Sequence, residues 1–595
     1  MSHTFHIPVL GLAYSVDTPV KVARYGISSV VSIVDDILIE RMRQLYTEKR
    51  NETFIPIDLK EIDFRSKRIT AYLNLIKKIV DEQFEDLKKQ AFEKGSDIVR
   101  YFELLPNSSP LKSKYHQMLS KQDIVVISAL QQELRDEIQK GEIQVNIMAK
   151  VDRMNPDTNG EQLSDSLTAL KGFAESEVNS AVVLSAGMNP RLYSYLENFT
   201  DFLSDANGNF KKTIILKVSD FRSALIQAKF LAKKGLWVSE FRIESGLNCG
   251  GHAFATDGYL LGPILEEFKS KKQEMIDELF EMYSKAILEK GIQLSHAPIM
   301  KISVQGGIGT ADENEFLLKH YQLDATGWGS PFLLVPEATN VDEETLELLS
   351  TAEKDDFYVS ASSPLGIPFN NFKKSTGEKQ RLERIEKGRP GSPCVKKYLS
   401  TNTEFTEQAI CTASREYQNL KIKQLETEGL SLEEFQTKFN EITEKVCLCE
   451  GLATPAYLKN GIIKPKESTA VTICPGPNIA YFSGKFSLDE MVSHIYGKLN
   501  LLNDIDRPNL FVNELNLYVD YLKKDISKHL QDMSDKKAKY VSKFKEQLQI
   551  GIDYYKQLVP KITDQTEVYR KKMLFEIEEI EEQLQQLKPV VNQGV

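Results

Sequence analysis

Short runs of apolar and β-branched residues recur along the first half of the chain, at 8–13, 28–33, 145–149, 180–184, 213–218, 237–243, 299–304 and 323–327. Most are followed by a stretch whose apolar positions repeat with helical spacing. Strands that are apolar throughout, instead of alternating with polar positions, are covered on both faces, and strand–helix alternation implies parallel pairing. Eight such units predict closure into a barrel, with an open doubly wound sheet as the alternative. The expected fold class is therefore α/β, a (β/α)8 barrel of the TIM type with additions.

Those additions break the pattern in three places. Residues 35–141, between the second and third strands, carry charged amphipathic spacing over 38–49, 66–95 and 113–140 and predict a helical insertion with one solvated face. Residues 376–505 are richer in Gly and Pro and hold most of the cysteines. Residues 506–595 return to long helical periodicity, in Leu515-Asn-Leu-Tyr-Val-Asp-Tyr-Leu522 and the acidic stretch 575–583. They read as a helical hairpin that packs on its own chain or joins two copies into a homo-oligomer. The barrel itself is then 1–34 together with 142–375.

In a barrel of this kind chemistry sits at the C-terminal ends of the strands, which directs attention to the residues just after each run. Two stretches stand out: Ile243-Glu-Ser-Gly-Leu-Asn-Cys-Gly-Gly-His252 and Gln305-Gly-Gly-Ile-Gly-Thr310. Gly306, Gly307 and Gly309 lie between a strand and a helix beginning near Ala311, where backbone N–H groups and a helix N-terminus favour an anion such as a phosphate. His252 is the one histidine in a glycine-rich strand-end turn. It has the chemistry of a proton-transfer group, with a structural histidine bonded to a loop carbonyl as the alternative. His3, His6, His116, His296, His320, His494 and His529 have no such setting and read as surface or packing residues. Lys150 and Lys217 end two further strands, where a cation can meet a developing anion or a phosphate; a solvated lysine is the alternative.

The chain has 595 residues, a formal charge of −10 and 41% hydrophobic residues, which supports a large domain and smaller units beside it. The acidic balance argues against a sequence-independent grip on nucleic acid. No run of about 18 apolar residues calls for a membrane span, and the first residues lack secretory features, so a cytoplasmic protein is expected.

These residues resemble a known group: the FMN-dependent barrel enzymes that include nitronate monooxygenase (2-nitropropane dioxygenase), the flavin-type bacterial enoyl-acyl-carrier-protein reductase, and related reductases of polyunsaturated fatty acid synthases. The likeness rests on Ile7-Pro-Val-Leu-Gly-Leu-Ala-Tyr-Ser-Val-Asp-Thr-Pro19 with Tyr25-Gly-Ile-Ser-Ser-Val-Val31, on Gly250-Gly251-His252, and on Gly306-Gly-Ile-Gly-Thr-Ala311 with Asp324-Ala-Thr-Gly-Trp-Gly-Ser-Pro-Phe332. It implies an oxidoreductase with FMN as cofactor. The phosphate would lie against Gly306, Gly307, Gly309, Gly327, Gly329 and Ser330, and the ring near Gly11, Ala13, Lys150, Lys217, Gly250 and Gly251. His252 would be catalytic. The substrate would be a nitronate, oxidised by O2, or alternatively an enoyl thioester reduced with NAD(P)H. A non-catalytic assembly protein on the same scaffold is a third reading. One departure stands out: Leu247-Asn248-Cys249 widen the turn before the Gly-Gly-His motif.

Past the barrel, Ser363-Pro-Leu-Gly-Ile-Pro-Phe369, Cys394, Cys411 and Lys445-Val-Cys-Leu-Cys-Glu-Gly-Leu452 are similar to a subgroup with a cysteine-containing extension. Cys394, Cys411, Cys447 and Cys449 are separated by 16, 35 and 1 residues. Four thiolates suit zinc or an iron–sulfur cluster, with unlinked buried cysteines as the alternative and Cys474 as a further member.

Overall fold

The computed structural model describes residues 2–148, 152–154, 163–185, 187–253, 257–528, 534–562 and 565–587. Eight parallel strands close into a barrel in sequence order: β1 Phe5–Ile7, β2 Ser28–Ser32, β3 Ile143–Ile147, β4 Ala181–Leu184, β5 Thr213–Val218, β6 Val238–Glu244, β7 Lys301–Gln305 and β8 Ala325–Gly327. Closure is made by β1, which pairs with β2 through His6 and Ser28 and with β8 through Phe5 and Thr326. The first strand lies earlier than its apolar run predicted. Residues 8–13 form the turn that follows it, because Pro8 has no N–H to give a ladder and Gly11 adopts a φ of +53°. Ser15 Oγ holds this turn, accepting from Leu10 N at 2.9 Å and donating to Val30 O at 3.0 Å.

Strand alternation sorts the side chains. Val30, Ala181, Val183 and Ile215 form a small cluster of their own inside the barrel, while Val31, Val182, Leu184, Ile214 and Leu216 join the large core under the helices. A second interior layer is polar. Arg242 pairs with Glu240 at 2.8 Å and donates to Gln144 Oε1 at 3.0 Å, and Ser303 Oγ donates to Glu240 at 2.5 Å. Burial beside Arg242 holds His6 well below the usual histidine range. Paired in this way, the buried charges are tolerated.

The insertion after β2 is helical: Asp36–Lys49, Phe64–Lys89, Asp97–Leu104, Pro110–Leu119 and Ile124–Glu137. Ile69, Tyr72, Leu73, Ile76 and Val80 form the buried stripe of its long helix, which packs on the helix Asp165–Ala174 after β3, where Ser66 Oγ donates to Thr168 O at 3.0 Å. Between β8 and the extension lies an antiparallel hairpin, β9 Phe357–Ser360 and β10 Phe369–Phe372. The C-terminal region is three helices, Leu510–Lys528, Asp535–Leu558 and Glu567–Gln586, where the periodicity predicted a two-helix hairpin. Its apolar positions, among them Leu515, Tyr518, Leu522 and Tyr555, are buried against the rest of the chain. Among the described residues no helix is long and apolar enough to cross a membrane.

His3 links the N-terminus to the extension. Its Nδ1 lies 2.9 Å from Tyr496 Oη and its Nε2 3.1 Å from Tyr25 O, an arrangement that suits the neutral ring with its proton on Nε2. Burial lowers its pKa from 6.5 to about 4. The unfolded chain therefore takes up this proton first, and the contribution of His3 to stability is intact above pH 6.5 and lost as pH falls towards 4. The size of that loss is on the order of 3 kcal/mol. Urea unfolding of wild type and His3→Gln between pH 7 and 4 should show a shallower decline in the variant.

Candidate functional site

The C-terminal ends of the strands open into a cavity of about 520 Å³. Its floor is polar, with Asn146 from β3, Ser185 after β4, Lys217 from β5 and Glu244 from β6. Aliphatic and aromatic side chains of the β1 turn and the extension make the walls and roof, among them Leu10, Leu12, Leu365, Phe369, Leu448 and Ile473. Lys217 Nζ lies 3.5 Å from Glu244 Oε2, and Gln305 Nε2 donates to Glu244 Oε1 at 2.9 Å. A cation and its counter-ion thus stand together on the cavity floor.

The wide turn after β6 is fastened from several directions. Glu514, 1% exposed, accepts from Ser245 Oγ at 3.0 Å, Gly246 N at 2.8 Å and Leu261 N at 2.7 Å. Burial raises its pKa. Asn248 ties the turn to itself and to β10: its Nδ2 donates to His252 O at 2.9 Å, and its Oδ1 accepts from Asn370 Nδ2 at 2.9 Å. The Gly-Gly-His motif is clasped by the extension and by β10, through β-bridges from Gly250 to Pro475 and from His252 to Phe369. The His252 ring lies edge-on to Phe369, 5.1 Å between centroids, and its Nε2 is 2.8 Å from Ser363 Oγ. Ser363 Oγ accepts from Leu365 N at 3.2 Å, which leaves its own proton available to Nε2 and fixes the ring's orientation.

Of the residues the sequence placed around a flavin, the structure brings Gly11, Lys217, Gly250, Gly251 and His252 to the cavity surface. Ala13 is buried behind it. Lys150 lies outside the described residues. Gly306, Gly307, Gly309, Gly327, Gly329 and Ser330 are all buried, and none of them lines the cavity. The Leu247-Asn248-Cys249 segment covers their turns: a Cβ on Gly329 would lie 2.6 Å from Cys249 Cβ, and one on Gly307 2.7 Å from Leu247. Ser330 Oγ accepts from Gly476 N at 2.7 Å and donates to Cys249 O at 3.0 Å. Glu313 Oε2 accepts the Gly309 N–H at 2.9 Å. The turns that the resemblance assigns to the FMN phosphate therefore do not fit one; the strand ends beside them have room for an organic ring.

The cysteines also sort by position. Cys249 and Cys474 are buried at the cavity wall, and burial pushes both thiols up, Cys474 to about 12. Cys394 is influenced by Cys411, and Cys447 by Cys449. The Cys411 thiol brings Cys394 down to about 6, and Cys449 likewise lowers Cys447. The two pairs are close enough to repel when ionised. Among the described residues, however, no three His, Cys, Asp or Glu side chains converge as a metal site requires. The geometry gives the zinc or iron–sulfur expectation no support.

Sequence reasoning missed the polar rim that the insertion and extension build. Asp35 caps its helix by accepting from Leu38 N at 3.0 Å, pairs with Lys396 at 2.6 Å and lines the cavity beside Tyr398. Arg65 joins Asp36 at 3.0 Å and also pairs with Asp165. The helix-capping pattern was readable at Asp35, but its lysine partner lies 361 residues away.

Comparison with known proteins adds little. No family model and no curated protein matches the chain. Among solved structures, a point mutant of FabK from Thermotoga maritima aligns over 54% of this chain and 82% of that one, at 13% identity and a TM-score of 0.25. The barrel itself is defined by the parallel register of its eight strands.

The contrast among thiols is directly measurable. Brief iodoacetamide treatment of native protein at pH 7, followed by peptide mass spectrometry, should label Cys394 first and leave Cys249 and Cys474 unmodified until the chain unfolds.

Proposed function

We propose that the barrel mouth is the active site of an oxidoreductase that acts on an activated carbon acid, and that the substrate is closer to an enoyl thioester than to a small nitronate. One observation carries this reading: a single cavity joins the Lys217–Glu244 floor and the His252 imidazole to a long aliphatic wall. The wall suits an acyl chain by burial of apolar surface. The floor suits the functional group at its end.

In such a site the Lys217 ammonium faces the oxygen on which charge develops as an enolate forms, and stabilises it in a cavity of low polarity. His252, oriented by Ser363, exchanges a proton with the carbon next to that carbonyl. Gly250 and Gly251 just before it let the ring approach the cavity without intervening side chains. The walls of the extension exclude water from the carbanion. Redox equivalents are what the resemblance assigns to FMN, whose phosphate the β7 and β8 turns do not fit.

The test is the absorbance spectrum of the purified protein together with anaerobic assays. Oxidation of NADPH coupled to reduction of an enoyl thioester, with no turnover of alkyl nitronates, is the expected result. His252→Ala should lower turnover by about 10²- to 10⁴-fold with little change in substrate affinity. Turnover of nitronates alone would reverse the choice of substrate. Full activity of His252→Ala would remove the histidine from the mechanism.

A further inference from the structure

The glycine-rich turn after β7 and the helix Ala311–His320 that follows it have the make-up of an anion site, and in this chain an anion already occupies it. Glu313, 6% exposed, is the third residue of that helix. Its carboxylate receives the Gly309 N–H at 2.9 Å, the Leu510 N–H at 2.7 Å and the Arg507 guanidinium at 2.7 Å. Both side chains of the Arg507–Glu313 pair are 5% exposed. Arg507 also donates to Gly307 O at 2.7 Å and to Asn478 Oδ1 at 3.2 Å, while Asn478 Nδ2 donates to Ile308 O at 2.7 Å. A guanidinium, two backbone N–H groups and a helix N-terminus are the components of a phosphate site, here satisfied from within by a carboxylate.

We infer that Glu313 is an internal substitute for a ligand phosphate, locked by Arg507, and that the barrel mouth takes ligands without a phosphate held at the β7 and β8 turns. Three independent segments close the turns: 247–249 over Gly306 and Gly329, 476–478 over Ser330 and Ile308, and 507–510 over Gly307 and Gly309. The three extra residues in the β6 turn now have a structural account, since they make the first of these covers. The inference rests on the barrel-mouth reading only for the position of the ligand. Its chemistry stands on Glu313 and Arg507.

Two measurements on the full chain separate the possibilities. The first compares riboflavin with FMN as ligands of the wild-type protein by flavin fluorescence titration. Affinities within about threefold of one another are expected, because a phosphate that reaches no site adds nothing; a preference for FMN of about a hundredfold, the size that several charge-assisted hydrogen bonds confer, overturns the inference. The second uses inorganic phosphate alone. Its addition should leave the wild-type melting temperature unchanged and raise that of Glu313→Ala by several degrees as the vacated donors capture it. Equal stabilisation of wild type, or no gain in a folded variant, overturns the inference. If wild type binds neither flavin, the redox reading under "Proposed function" fails while the phosphate response still decides the role of Glu313.

Discussion

The loop that carries His252 over the mouth of the barrel has backbone donors that must be satisfied without water, and here the buried carboxylate of Glu514 satisfies them. It accepts from Ser245, Gly246 and Leu261 at once, at the two ends of the segment that contains His252. Each of those donors left unpaired would cost about 1–3 kcal/mol. The wide turn is therefore stable only with the helix Leu510–Lys528 docked beneath it. The C-terminal region is part of the site's foundation, although none of its described residues lines the cavity.

Around that foundation the molecule uses its additions to finish what the barrel leaves open. β10 pairs with the Gly-Gly-His motif, the 473–478 segment runs between the β6 and β8 loops, and Lys396 and Tyr398 reach Asp35 at the head of the insertion. The barrel fixes where the strand ends point; the additions decide which of those ends a ligand can reach. The β3, β5 and β6 ends face the cavity, while the β7 and β8 turns are built over.

Much of this was legible in the amino-acid order. Continuous apolar runs located seven of the eight strands to within a few residues, because a strand covered on both faces has no polar period to confuse it. The first strand was displaced because its three residues, Phe5–Ile7, are shorter than the apolar turn that follows. Gly250, Gly251, His252 and Lys217, expected at strand ends, line the cavity. The glycines after β7 and β8 show the limit of such reading. Glycine reports that something approaches the backbone closely, and in Gly329 and Gly309 the visitor is this chain's own Cys249 and Arg507. Nothing local marks Arg507 as the partner of a residue 194 positions earlier.

The contact between Ser245 and Glu514 spans 269 residues, and the lock on the β7 turn is similarly remote in sequence. Loop closure over such distances is slow, and contacts of this span form after local ones. Chain growth on a ribosome sharpens the point, since all eight strands emerge well before residue 507. The cylinder can assemble while its upper rim is still ragged, and the pocket acquires its shape only when the final helices arrive.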